Sequence, residues 1–138
     1  MTYETVLPMW NAVRDRFFEK ANALTDEDLT LQLGDQSIGR LLFHTGEVEY
    51  IFADWYVDKN IGEVKKPSLL SKEELVAFLM ESNAFLKDAM KDLPEEGWHE
   101  VKETRMGNST PLEVMGRLMY HTGIHAGQIT DIQKFGKQ

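Results

Sequence analysis

The octapeptide Gly39-Arg40-Leu41-Leu42-Phe43-His44-Thr45-Gly46 returns almost unchanged as Gly116-Arg117-Leu118-Met119-Tyr120-His121-Thr122-Gly123, with six of the eight residues identical. Each copy sits in an apolar pattern of helical spacing: Leu41, Val48, Ile51 and Trp55 around the first, Val114, Leu118, Ile129 and Ile132 around the second. Both histidines therefore fall on the stripe that a helix turns toward a core. A chain built this way is expected to place two helical hairpins about a rough pseudo-twofold, each offering a histidine to a shared interior. The echo covers one stretch of each half.

The second copy continues to His125, four residues after His121. In a helix that spacing leaves the two rings about 40° apart around the axis and one turn apart along it, so both can converge on one point. Polar rings on an apolar stripe need partners. A metal ion is the usual reason to pair imidazoles in this way, and three imidazoles leave at least one coordination position open, as catalytic sites do. Taken alone, His44 reads first as a hydrogen-bonded core histidine, and His99, in an irregular segment, as a solvated loop residue.

The chain holds no cysteine, so thiolate ligands and disulfides are excluded and any metal must be held by His, Asp or Glu. Other histidine chemistries fail on their letters. A zincin protease needs glutamate where Thr122 stands. Di-iron bundle sites need glutamate three residues before histidine, where this chain has Leu41, Leu118 and Thr122. A bis-histidine haem would leave one of the three unused.

Four amphipathic segments are expected to be helices. The first carries Val6, Trp10, Val13, Phe17 and Leu24, with Pro8 tolerable only in an opening turn. Thr25-Asp26-Glu27-Asp28 breaks it and opens a short extra turn before Gly34-Asp35. The second runs from an N-cap at Ser37 to about Val57, and the third from the capping box Ser71-Lys72-Glu73-Glu74 to just before Pro94. The span from Glu95 to Ser109 reads equally as loop or as short strands turning at Gly107-Asn108. Thr110-Pro111-Leu112-Glu113 then combines a capping box with a first-turn proline and starts the last helix, expected to reach about Lys134. The fold class is all-α, a four-helix bundle, and 138 residues suit one domain over 1–138.

Fifteen basic residues against twenty-three acidic ones give a net charge of −8 with no basic cluster, which disfavours nucleic acid as a partner. The opening residues do not read as a leader peptide, and no apolar run approaches the length of a membrane span, so a cytoplasmic location and no membrane partner are expected.

With Ser37-Ile38-Gly39-Arg40-Leu41-Leu42-Phe43-His44 and His121-x-x-x-His125-Ala126-Gly127-Gln128 in view, the chain resembles the DinB/YfiT-like four-helix metal proteins over nearly its whole length. The resemblance implies an up-down-down-up bundle, commonly a homodimer, with His44, His121 and His125 as the metal triad and zinc or nickel as the metal. Some relatives transfer or isomerise with a low-molecular-weight thiol, others are only called hydrolases, and many have no known activity. The usual last-helix pattern is His-Glu-x-x-His-Arg-Gly-Gln; here the Glu is Thr122 and the Arg is Ala126.

The functional expectation is a metal-dependent enzyme acting on a small molecule, by metal-bound water or by transfer of an external thiol. The alternative is a non-catalytic, metal-stabilised or ligand-sensing stress-response module. Glu47, one turn beyond His44, reads first as an exposed helix carboxylate and second as a candidate hydrogen-bond acceptor or general base. Tyr120 is a weak catalytic candidate; with Trp55 it could wall a pocket or belong to the core. Gln128 is placed to orient a ligand by a hydrogen bond. Gly116, Gly123 and Gly127 cost roughly 1 kcal/mol each in a helix. They share one narrow face, which suggests close approach of another helix, within the bundle or across a dimer.

Overall fold

The computed structural model describes residues 1–138. Helices α1 (Thr2–Asn22), α2 (Ile38–Val57), α3 (Lys72–Asp92) and α4 (Pro111–Phe135) form the body. Short 3-10 turns at Glu27–Thr30 and Glu95–His99 lie in the connections. So do two small antiparallel ladders, β1 (Gln32–Leu33) with β2 (Gln36–Ser37) and β3 (Lys102–Thr104) with β4 (Gly107–Ser109). The Glu95–Ser109 span thus ends in a real hairpin. No helix is long and apolar enough to cross a membrane.

The helix starts follow their capping residues. Ser37 accepts from Arg40 N, Ser71 from Glu74 N and Thr110 from Glu113 N, each satisfying a donor that the first turn leaves unpaired. One expectation needs correcting. Helix α1 begins at Thr2, so Pro8 falls in its second turn and not its opening one. The missing N–H leaves the Glu4 carbonyl without its helical donor.

Named contacts give the helix directions. Trp10 Nε1 donates to Asn83 Oδ1, while Arg14 reaches back to Leu79 O, so α1 and α3 run antiparallel. Gly39 lies against Leu69, Gly46 against Phe78 and Tyr50 against Phe85, so α2 and α3 run parallel. Arg117 stacks over Phe52 and Tyr56 while His121 and His125 meet His44, so α4 opposes α2. The order is up-down-down-up. Because α2 and α3 are parallel, the segment between Val57 and Lys72 must return along the whole bundle, about 30 Å for a helix of this length. That strap lays Ile61, Val64 and Lys66 along α2.

The apolar core is two clusters. One gathers Trp10, Phe52, Tyr56, Leu86, Trp98, Val114 and Leu118, the other Phe17, Leu24, Ile38, Leu42, Leu75, Leu79 and Ile129. Between them, at one level of the bundle, every helix contributes polar side chains. Arg14 donates to Glu49 Oε2 (2.7 Å), Glu49 Oε1 (3.1 Å) and Leu79 O (2.6 Å), and Ser82 Oγ donates to Glu49 Oε1 (2.6 Å). Arg14 and Glu49 are 2% and 0% exposed, so neither charge has water to fall back on. The three histidines belong to the same layer.

The start of α1 is held from outside the bundle. Glu95 accepts from Thr2 N at 2.9 Å and from the Thr2 hydroxyl, placing a carboxylate at a helix N-terminus. These bonds to Thr2, with a smaller contribution from His99, hold the Glu95 carboxyl down at about 2 against an ordinary 4.5. A carboxyl with a lowered folded-state pKa stabilises above its unfolded pKa and loses that contribution as pH falls toward the folded value. Stability should therefore drop between about pH 4.5 and 2, and Glu95→Gln should flatten that part of a stability–pH profile. Equal acid sensitivity in the variant would remove the assignment.

Candidate metal centre

His44 stands mid-way along α2, and His121 and His125 lie one turn apart in α4, all facing the bundle interior between the two apolar clusters. One ring nitrogen from each lies within 4.8 Å of the others. The rings meet edge to face, with centroids 5.0 Å apart for His44–His121, 5.4 Å for His44–His125 and 4.3 Å for His121–His125. His121 Nε2 and His125 Nε2 approach to 3.0 Å.

The outer nitrogens define the tautomers. His44 Nδ1 lies 3.3 Å from Glu47 Oε1, and His125 Nδ1 lies 2.6 Å from Gln128 Oε1. An amide or carboxylate oxygen only accepts, so both Nδ1 atoms carry a proton, which leaves Nε2 as the nitrogen available to ligate. That is the arrangement in which carboxylate or amide partners orient metal-ligating imidazoles. Burial, then the neighbouring His125 and His44, lower the His121 pKa to about 4; burial likewise lowers His125, against a smaller opposing effect of its bond to Gln128. Both rings are therefore neutral at pH 7, the form that ligates.

These residues fit a divalent ion. His121 Nδ1 is buried without a hydrogen-bond partner, so the protein does not neutralise this ring with a network of its own. Three nitrogens sharing a tetrahedral ion at about 2.0–2.1 Å stand roughly 3.3 Å apart, near the separation of the two α4 nitrogens. The His44 and Glu47 side chains are each 43% exposed, so the cluster opens to solvent on the α2 side.

The remaining sequence candidates fall around this centre at different distances. Glu47 and Gln128 touch the cluster, as described. Tyr120 turns away and is 72% exposed, while Trp55 lies three turns further along α2, its ring under the Arg105 guanidinium at 5.6 Å. His99 is exposed and bonds Glu95 at 3.2 Å. On the glycine edge, a Cβ added at Gly116, Gly123 or Gly127 would meet nothing within 4 Å. No helix of the same chain approaches these glycines closely; Gly123 and Gly127 line a groove whose other wall is Val13, Arg16, Phe17 and Lys20 of α1. The close approaches occur instead at the matching positions of the first copy, where a Cβ on Gly39 would stand 2.3 Å from Leu69 O and one on Gly46 2.6 Å from the Phe78 ring. The buried Arg14–Glu49 pair went unread in the sequence. Its signal was present, since Arg14 sits at core spacing between Trp10 and Phe17 and Glu49 between Val48 and Phe52.

Fold and cluster together describe a four-helix bundle with three histidines gathered in its polar layer. The sequence profile of the DinB superfamily matches residues 9–129, and the chain belongs to that superfamily. A crystal structure of a DinB-like protein from Bacillus cereus ATCC 10987 superposes with a TM-score of 0.77, covering 97% of this chain and 93% of that one at 17% identity. At that identity the likeness speaks for the fold alone. None of the curated proteins matches.

Proposed function

We propose that this protein binds one divalent transition metal, zinc or nickel, through His44, His121 and His125, and uses it to act on a small molecule. The observation that carries this reading is the inward set of three imidazoles, two of them with their outer N–H held by Glu47 and Gln128. An ion held by three imidazoles keeps a position open and supplies Lewis-acid activation of water for hydrolysis or of a low-molecular-weight thiol for transfer. The chain's own part is to hold His44 and His125 in the ligating tautomer and to keep His121 neutral. With no cysteine present, any thiol nucleophile comes from a cosubstrate.

Elemental analysis of protein purified without added metal should give about one ion per chain, and His121→Ala or His125→Ala should lose it, because two imidazoles hold a divalent ion weakly. Full occupancy in both variants would refute the triad. Turnover of thiol–electrophile pairs or of hydrolysable esters by the loaded protein supports catalysis; metal without turnover of any of them would reduce the site to a stabilising or sensing one.

A second copy of the chain is the proposed cover for the bare glycine face of α4, where Tyr120 and Ile124 are also exposed. Sedimentation at micromolar concentration should show a dimer. Gly123→Leu, whose side chain starts in open space, should dissociate it without unfolding the bundle; a monomeric parent protein would end the idea.

A further inference from the structure

A cavity of about 230 Å³ lies beside the histidine cluster, between α2, α3 and the strap. Its walls are aromatic. Phe78 stacks on Phe43 at 5.4 Å and tilts against Tyr50 at 5.7 Å. Ile61 and Val64 of the strap close it from outside, and Val64 remains 37% exposed, an apolar side chain that the fold itself does not finish burying.

Two charged side chains punctuate this lining. Glu47 is shared between the cavity and the cluster, since the same carboxylate accepts from His44 Nδ1. Lys66 brings its ammonium over the Phe43 ring at 5.1 Å and makes no ion pair. Lys66 is the one cationic side chain among the residues that line the cavity.

We propose that this cavity is the substrate subsite of the metal centre, taking a ring-sized apolar group that carries an anionic substituent at the Lys66 rim. The inference rests on the proposed metal centre for its catalytic meaning, and on the cavity alone for binding. Size decides which reactant it takes. Pockets for drug-sized ligands run to roughly 300–1,000 Å³, so this one suits a single ring with a short substituent. A ring seated there is the molecule that is attacked, and the thiol or water comes from the exposed side of His44. Glu47 at the shared wall sets how far the bound group reaches toward the cluster. The long unstructured strap is what a binding loop over a rigid helix face looks like.

The test uses the full chain as purified, with metal content measured on the same sample, and the probes phenylacetate and neutral phenylacetamide. Methyl NMR should show saturable shifts at Ile61 and Val64 for both probes, with phenylacetate the tighter. Lys66→Met should weaken phenylacetate about tenfold, the value of one charge-assisted contact, and leave phenylacetamide unchanged. Ile61→Trp, on the half-buried strap, should fill the cavity and abolish both. No saturable shift, or equal effects of Lys66→Met on the two probes, would overturn the subsite. Stoichiometric metal without probe binding would overturn it and leave the metal centre standing. Probe binding in protein that never acquires metal would do the reverse.

Discussion

Arg14→Met should lower the unfolding free energy by roughly 3–5 kcal/mol, as breaking one partner out of a buried ion pair does. The substitution leaves the Glu49 carboxylate 0% exposed with a single remaining donor, Ser82 Oγ, and also strips the Leu79 carbonyl of its side-chain partner. Against a total of about 5–15 kcal/mol for a domain, that loss is large. Arg14→Met with Glu49→Leu should recover most of it, because the penalty belongs to the stranded charge more than to the missing attraction. Urea titrations of the two variants make the comparison. A single variant within about 1 kcal/mol of the parent would mean that water or a rearranged side chain reaches Glu49.

Equivalent glycines in the two copies of the octapeptide should respond to alanine with opposite signs. At Gly39 the new Cβ would stand 2.3 Å from the Leu69 carbonyl oxygen, a backbone atom that no rotamer change can move. The strap would have to lift from α2, and we expect a net loss of roughly 2 kcal/mol after the gain in helix propensity is counted. At Gly116 no atom of the same chain lies within 4 Å, so in the dissociated Gly123→Leu background the same change should stabilise by about 1 kcal/mol through propensity alone. Denaturation midpoints at equal protein concentration decide it. Two changes of the same sign would contradict the packing difference between α2 and α4.

Much of this fold is written locally. Ser37, Ser71 and Thr110 announce three helix starts because capping is a contact over three residues, visible in a short window. The histidines are legible for a related reason: their positions on apolar stripes follow from helical period alone. What stayed hidden depends on pairs distant in the chain. Glu49 is 35 residues from Arg14, and nothing near either residue names the other. The three-residue strands at Lys102–Thr104 and Gly107–Ser109 are too short to show a period. Which glycines are crowded could not be read from two nearly identical octapeptides, since the crowding atoms come from the strap and α3. The cavity is invisible in sequence for the same reason, being assembled from α2, α3 and a segment without any period.

The polar layer that joins Arg14, Glu49 and Ser82 with His44, His121 and His125 works as a key for assembly. Two apolar clusters stacked end to end would tolerate a helix sliding by a turn, about 5.4 Å, with only modest repacking. With the layer in place, the same slip would carry a guanidinium or carboxylate into hydrocarbon on one side and a leucine into the histidine cluster on the other. The chain thus has one axial alignment for all four helices. That alignment also sets His44 opposite His121 and His125, so alignment of the bundle and assembly of the cluster are a single event.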